Sequence, residues 1–280
     1  MRKLESKYDY VEVYATKGVG DMERAVREAA NKFDAIVFSG GDGSFNEVLQ
    51  GIGDSACPPE LGYIPSGTVN DIAHTLGIPK RVRGAIKVIL TGDNALLDCM
   101  KINDRYAMYV VAAGAFTSAT YTTPQSQKQQ VGRIAYGIEG LRKNMRFDVF
   151  DVCIRTEKEE VKTDSVFVIL MNGRYVAGIK LNKKGSLTDG KVEVALIRQK
   201  KDPNFFKKIR VFLALAHLFI FGYKVREKQI TRLQGSSFEI EADEDVVWNF
   251  DGEKGVSGCV KIEVLQKKIN MIVPKGNKNI

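Results

Sequence analysis

The chain reads as an α/β domain followed by a β-rich one, on three observations. Up to about residue 95, apolar stripes at helical spacing alternate with short β-type runs, the βαβα rhythm of a doubly wound parallel sheet. From Leu96 the texture changes to β-rich segments divided by Gly, Asn and Asp, as in an antiparallel sandwich. At 280 residues the chain is also near the size at which one core divides, and no Pro/Ser-rich linker holds the halves apart. The expected boundaries are 1–95 and 96–265, close-packed around a cleft.

Taken in order, Met22, Ala25, Val26, Ala29 and Phe33 fall on one face and predict an amphipathic helix. Ile36, Val37 and Phe38 form a short strand that runs straight into Gly40, Gly41 and Gly43, with Asp42 among them. After Ser44, Phe45, Val48, Leu49 and Ile52 recur at i, i+3, i+4, i+7, so a helix begins with Ser44 near its N-cap. A second strand, 61–64, enters a Pro65-Ser66-Gly67 turn and leaves as a helix with Asn70 and Asp71 at its start. A helix over 82–90 follows Pro79. Strands are then expected over 98–102, 106–112, 147–155, 165–171, 192–197, 238–241 and 260–264. The Gln-rich stretch 124–130 reads as a mobile loop, with a short helix near 136–141.

The two strand-turn-helix units carry the chemistry. Glycines admit positive φ and let a phosphate approach without a Cβ in the way, and helix starts point backbone N–H groups at anions. Asp42 inside such a turn would repel phosphate unless a divalent cation stands between them. Each unit alone is equally a structural turn or a helix cap. In tandem, at the carboxyl ends of parallel strands, they should face one crevice.

Several classes are excluded. Gly41-x-Gly43 would need a third glycine at Asn46 to be a dinucleotide fingerprint, and no Walker or protein-kinase signature occurs. Cys57, Cys99, Cys153 and Cys259 are scattered without a C-x-x-C, which suits reduced thiols in the cytoplasm. With two histidines, His74 and His217, there is no His-rich metal site. The N-terminus is charged from Arg2 onward, unlike a signal peptide.

The formal net charge of +8 admits nucleic acid or anionic lipid. No nucleic-acid module is visible, so the expectation is no nucleic-acid partner. The densest basic stretch, 198–210, leads into an apolar run, 211–221, too short to span a bilayer, which takes ~20 residues. It reads either as a buried helix with a solvated basic start or as a membrane-surface helix.

The blocks Gly40-Gly41-Asp42-Gly43-Ser44, Pro65-Ser66-Gly67-Thr68-Val69-Asn70-Asp71 and Phe250-Asp251-Gly252-Glu253 together resemble the diacylglycerol kinase catalytic-domain family, in its soluble bacterial branch. The resemblance runs from about Thr16 to the end, with Ser44 where the family usually has Thr. It implies ATP and Mg²⁺ as cofactors and a lipid alcohol such as diacylglycerol as acceptor, met peripherally at the inner face of an anionic membrane. It also implies that residues 266–280 return to the first domain. Gly40, Gly41, Asp42, Gly43, Ser44, Glu47, Gly67, Thr68, Asn70 and Asp71 would bind the nucleotide, with Asp42 and Asp71 acting through Mg²⁺. Asp251 and Glu253 would be catalytic, Glu253 as general base, with Asp98 at a strand start tied to them by a polar network. Asp189, in Thr188-Asp189-Gly190, matches a structural Mg²⁺ position.

One departure stands out: the family opens with a strand and an Asn-Pro-x-Ser-Gly type turn, and residues 1–16 contain nothing like it. A sheet short of that strand implies a weakened ATP site. That leaves a non-catalytic nucleotide or lipid sensor open, and the glycine-acid turn, which resembles that of nicotinamide-dinucleotide kinases as well, leaves open a soluble-alcohol kinase of the NAD-kinase type. Homodimerisation is open as well.

Overall fold

Asp21 and Glu23 place negative charge in the first turn of helix α1 (Asp21–Ala29), where the helix dipole favours it. The computed structural model describes residues 3–53, 55, 57–115, 148–176, 178–201, 203, 205–223 and 227–277. Strand β1 (Ala35–Gly40) and strand β2 (Glu60–Pro65) are parallel, in register from Ala35 opposite Glu60 to Gly40 opposite Pro65. Helix α2 (Asp42–Ile52) forms the crossover, and helices α3 (Asp71–Thr75) and α4 (Val82–Thr91) follow β2.

Alternation along β1 explains the layering. Ile36 and Phe38 pack into the cluster that holds Phe45, Leu49 and Ile52 of α2, while Val37 packs with Val88 and Ile89 of α4. Helices thus cover both faces, as expected. The sheet itself is mixed. Strand β3 (Asp93–Ile102) lies antiparallel to strand β13 (Val260–Val273), which pairs in parallel with β2 at Met271 and Leu61. The C-terminal strand therefore sits between β2 and β3.

The β-rich part contains β4 (Arg105–Ala107), β5 (Val110–Gly114), β6 (Phe150–Arg155), β7 (Glu160–Met171) and β8 (Val192–Arg198). After helix α5 (Phe205–Phe221) come β9 (Ile230–Gly235), β10 (Ser237–Ala242), β11 (Val247–Phe250) and β12 (Glu253–Ser257). Val111, Val168, Val194, Phe238, Trp248 and Ile262 fill one buried cluster, in which the Trp248 indole N–H donates to the Gly258 carbonyl at 2.7 Å. The opposite residues of β5, β7 and β8 (Ala112, Phe167, Ile169, Ala195, Ile197) face Val211, Ala214, Leu215 and Leu218 of α5. That second layer is continuous with the core beneath the glycine turns.

The structure corrects several expectations. Helix α2 starts at Asp42 with Gly41 as N-cap, so Ser44 lies within the first turn and not at the cap. Asp98 is the sixth residue of β3, well inside the strand, because β3 extends back to Asp93 to pair with the end of β13. The expected strand over 106–112 is two strands, broken where Met108 and Tyr109 turn their amides to Asp251. Strand β13 runs on past 264 through an irregularity between Leu265 and Ile269, where Lys267 takes a φ of 54°. Strands β9, β11 and β12 have no counterpart among the expected segments. The stretch 124–130 and the helix near 136–141 lie outside the described residues.

Candidate active site

The two glycine turns abut. A Cβ on Gly67 would stand 2.5 Å from the Gly41 Cα and 2.8 Å from the Asn70 Oδ1, so only glycine permits this approach. Hydrogen bonds fix the contact: the Ser66 N–H donates to the Gly40 carbonyl at 2.8 Å, and the Asn70 N–H donates to the Asp42 Oδ2 at 2.9 Å. Asn70 adopts the left-handed conformation, with φ 57°. Its side chain does not cap α3 but closes the turn upon itself, taking the Gly67 N–H at 3.0 Å and donating to the Gly67 carbonyl at 2.6 Å. Behind the turns, the buried Tyr63 hydroxyl lies 3.2 Å from the Gly40 carbonyl and 3.3 Å from the Asn70 Oδ1. Burial, then the nearby Asp42, raises its pKa.

Chain from the second half of the molecule closes over this edge. The Asp71 Oδ1 accepts the Gly178 N–H at 2.6 Å, and the His74 ring meets the Tyr175 ring edge-on at 6.1 Å. Burial, then Lys80, lowers the pKa of His74. Ser66 and Thr68 are exposed at the rim, and Ser44 is half-buried in the first turn of α2.

The third block arrives as a hairpin. Phe250 and Glu253 pair across a two-residue loop in which Asp251 and Gly252 have φ of 52° and 94°, the turn that Asp-Gly favours. Glu253 is exposed, and its Oε1 lies 3.3 Å from where a Gly43 Cβ would be. The hairpin thus brings a carboxylate to the start of α2, across 210 positions of sequence, 253 minus 43.

Asp251 points the other way. It is buried, and its carboxylate accepts the N–H groups of Met108 (2.6 Å), Tyr109 (3.0 Å) and Val110 (3.0 Å) and the Asn46 amide (3.4 Å). Burial pushes its pKa up to about 6 against those four donors, which pull it down. Asn46 and Gln50 extend the network: Gln50 donates to the Tyr106 carbonyl at 2.7 Å and accepts the Tyr106 N–H at 3.1 Å. One polar chain therefore joins the helix behind the first turn to the hairpin that carries Glu253.

The remaining candidates lie further out. Asp98 is buried and accepts the N–H groups of Gly190 at 2.7 Å and Lys267 at 2.8 Å. Its link toward Asp251 runs through its own carbonyl, which accepts the Asn172 amide at 3.0 Å. Asn172 in turn donates to the Met108 carbonyl at 2.8 Å. Asp189 is exposed, in the turn that Asp98 anchors, and accepts the Lys191 N–H at 3.1 Å. The Glu47 carboxylate takes the Met22 N–H at 3.2 Å, at the start of α1. Sequence reasoning missed Asn46, Gln50, Tyr63 and Asn172. The one available signal was a pair of amides at i, i+4 beside the apolar stripe of α2.

Two family models cover the chain: the diacylglycerol kinase catalytic domain over residues 1–102 and the YegS C-terminal NAD kinase beta sandwich-like domain over 109–273. The chain belongs to the diacylglycerol kinase family. A relative named diacylglycerol kinase from Staphylococcus epidermidis is 30% identical over 275 residues, 98% of this chain and 85% of that protein. Another of that name, from Staphylococcus saprophyticus, is 29% identical, over 99% of this chain and 89% of its own length. Among solved structures, a Bacillus anthracis protein proposed to be a diacylglycerol kinase superposes with a TM-score of 0.83 at 25% identity. That match covers 97% of this chain and 88% of the other.

The donor set at the turns fits a hard cation. Asp42 and Asp71 bring carboxylate oxygens, the donor type a hard cation prefers, to the two turns, and each has one oxygen held by a backbone N–H. Among the described residues no group of three His, Cys, Asp or Glu converges. Magnesium that rests mainly on phosphates and water needs no such cage.

Proposed function

We propose that this chain is an ATP- and Mg²⁺-dependent lipid kinase that transfers the γ-phosphate to the hydroxyl of diacylglycerol or a related lipid alcohol. The observation that carries this reading is the placement of the Glu253 carboxylate at Gly43, beside two abutting phosphate-type turns. Phosphoryl transfer needs positioned phosphates, neutralised charge and an acceptor for the hydroxyl proton, and these residues supply a candidate for each.

Amides at the start of α2 would orient the phosphates, with the Gly67 turn packed against them and Asp42 and Asp71 holding Mg²⁺. The ion would neutralise phosphate charge. Glu253, exposed beside the start of α2, would take the proton of the acceptor hydroxyl as its oxygen bonds to the γ-phosphorus and the bond from phosphorus to the ADP leaving oxygen breaks. Asp251 never meets substrate in this scheme. It pins the hairpin from behind: its carboxylate takes three backbone N–H groups, while the Asp251 and Gly252 amides donate to the Val110 carbonyl and the Asn249 side chain. Asp98 braces the Asp189–Gly190 turn, where Asp189 would carry a second, structural Mg²⁺.

The reaction would take place at the inner face of a membrane, where such acceptors reside. No helix among the described residues is long and apolar enough to cross one. The test offers labelled ATP to diacylglycerol in mixed micelles and, separately, to a soluble nicotinamide dinucleotide. Label in lipid alone supports the proposal. Label in the dinucleotide alone replaces it with a soluble-acceptor kinase.

A further inference from the structure

Met108 and Tyr109, in the break between β4 and β5, are held from both sides. On one side stands the Asp251 carboxylate. Its Oδ1 accepts the Tyr109 and Val110 N–H groups, each at 3.0 Å, and its Oδ2 accepts the Met108 N–H at 2.6 Å. On the other stands Asn172, the residue that follows β7. Its side-chain amide donates to the Met108 carbonyl at 2.8 Å, and its backbone N–H donates to the Tyr109 carbonyl at 2.9 Å.

A planar trans peptide points its C=O and its N–H in opposite directions. The peptide joining Met108 to Tyr109 therefore has its oxygen on Asn172 and its N–H on Asp251. The peptide joining Tyr109 to Val110 is gripped in the same way. Asn172 thus sets the tilt of two of the three amides that fix the Asp251 carboxylate, and hydrogen bonds linked in series polarise one another.

The Asn172 side chain is fully buried, and its Oδ1 has no hydrogen-bond partner among the described residues. Burying an unsatisfied acceptor is unfavourable, and an apolar side chain would fill the place more cheaply, so what this residue contributes is its N–H groups. The second of them donates to the Asp98 carbonyl at 3.0 Å and ties the same peptides to β3. The bracket reaches Glu253 through the hairpin. The Asp251 N–H returns to the Val110 carbonyl at 3.0 Å, and the Tyr109 hydroxyl donates to the Asp251 carbonyl at 3.2 Å. A tilt of 108–110 therefore moves the turn that brings Glu253 to Gly43.

We propose that Asn172 is a positioning residue for phosphoryl transfer: gripping two peptides opposite Asp251, it holds the Glu253 carboxylate in place beside the first glycine turn. This rests on the lipid-kinase reading and deepens it. Asn172 itself touches no substrate in this scheme.

The test measures kcat and KM for ATP in the wild type, Asn172→Ala, Asp251→Asn and the double variant, together with amide hydrogen exchange followed by NMR. Asn172→Ala should lower kcat at least about tenfold, since a misplacement of about 1 Å costs on the order of 100-fold. KM for ATP should stay within about twofold, because Asp42, Asp71 and the α2 amides are untouched. In the Asp251→Asn background the same substitution should cost less than about threefold, because both residues act through the same peptides. The Tyr109 and Val110 amides should exchange at least about tenfold faster, while those of β8 and β9 keep their wild-type rates. Should Asn172→Ala not fold, Asn172→Ser takes its place. Unchanged kcat overturns the proposal. So do equal losses in both backgrounds or a uniform rise in exchange across the sheet, which would make Asn172 a support of the fold alone. Faster exchange confined to 108–110, with a wild type that phosphorylates no acceptor, would overturn the kinase reading and leave the bracing of Asp251 standing.

Discussion

Replacing Gly67 with alanine should separate the two turns on which the site depends. The new Cβ would lie 2.5 Å from the Gly41 Cα, a backbone atom, and 2.8 Å from the Asn70 Oδ1. Carbon atoms in contact sit about 3.5–4.0 Å apart, so the turns must part by about 1 Å. Overpacking of this kind costs roughly 1–3 kcal/mol. In a chain of this size, about 2 kcal/mol lowers Tm by roughly 4–8 °C. A shift of about 1 Å between groups that must jointly orient a phosphate costs on the order of 100-fold in rate. Gly41→Ala is the internal control, because its Cβ would meet the Gly67 Cα at 3.1 Å, where a few tenths of an ångström suffice. It should therefore cost less stability, under about 1 kcal/mol. Differential scanning calorimetry and phosphotransfer from labelled ATP measure both effects. If Gly67→Ala melts and turns over like the wild type, the close approach of the turns does not matter and the site is wrongly built.

Three other outcomes follow from the same contacts. Glu253→Gln should lower turnover by roughly 10²–10⁴, the usual worth of general-base catalysis, without moving Tm, since the side chain is exposed. Asn46→Leu removes the donor to Asp251 and one to the Tyr106 carbonyl. It should cost about 1.5–3 kcal/mol by chemical denaturation and reduce turnover, although Asn46 touches no substrate. Asp251 predicts a pH dependence. Burial raises its folded pKa from 3.8 to about 6, so the folded state holds the proton more tightly than the unfolded one. The associated stability is present below about pH 3.8 and is lost as pH rises through about 6, a change of about 3 kcal/mol. Unfolding free energies of wild type and Asp251→Asn, from denaturant titrations across that range, should diverge by about that amount, and parallel curves would contradict it.

The strand-turn-helix units were legible because glycine, proline and apolar periodicity are local signals, and α2, β2 and α4 lie within a few residues of where they were expected. Short strands were not. β12 begins with Glu253, Lys254 and Gly255, which carry no β signal, and it exists because β11 pairs with it across the Asp-Gly turn. Nor could sequence show which way a side chain points. Glu253 and Asp251 are two residues apart, yet one faces the glycine turn while the other is buried among three amides from Met108 to Val110. Asp98 offered an acid near a domain junction; its anchoring of the Gly190 turn and the β13 irregularity depends on contacts 92 and 169 positions away. The apolar run of α5 left both burial and membrane contact open, and which of its side chains are buried became visible only once its packing on β8 was known.

Phosphotransfer from γ-labelled ATP to diacylglycerol in Mg²⁺-containing mixed micelles, by the wild type and by Glu253→Gln in parallel, tests the central claim most directly. The account predicts labelled phosphatidic acid from the wild type, none after chelation of Mg²⁺, and a loss of at least about 100-fold in the variant. Equal product from both proteins would contradict it.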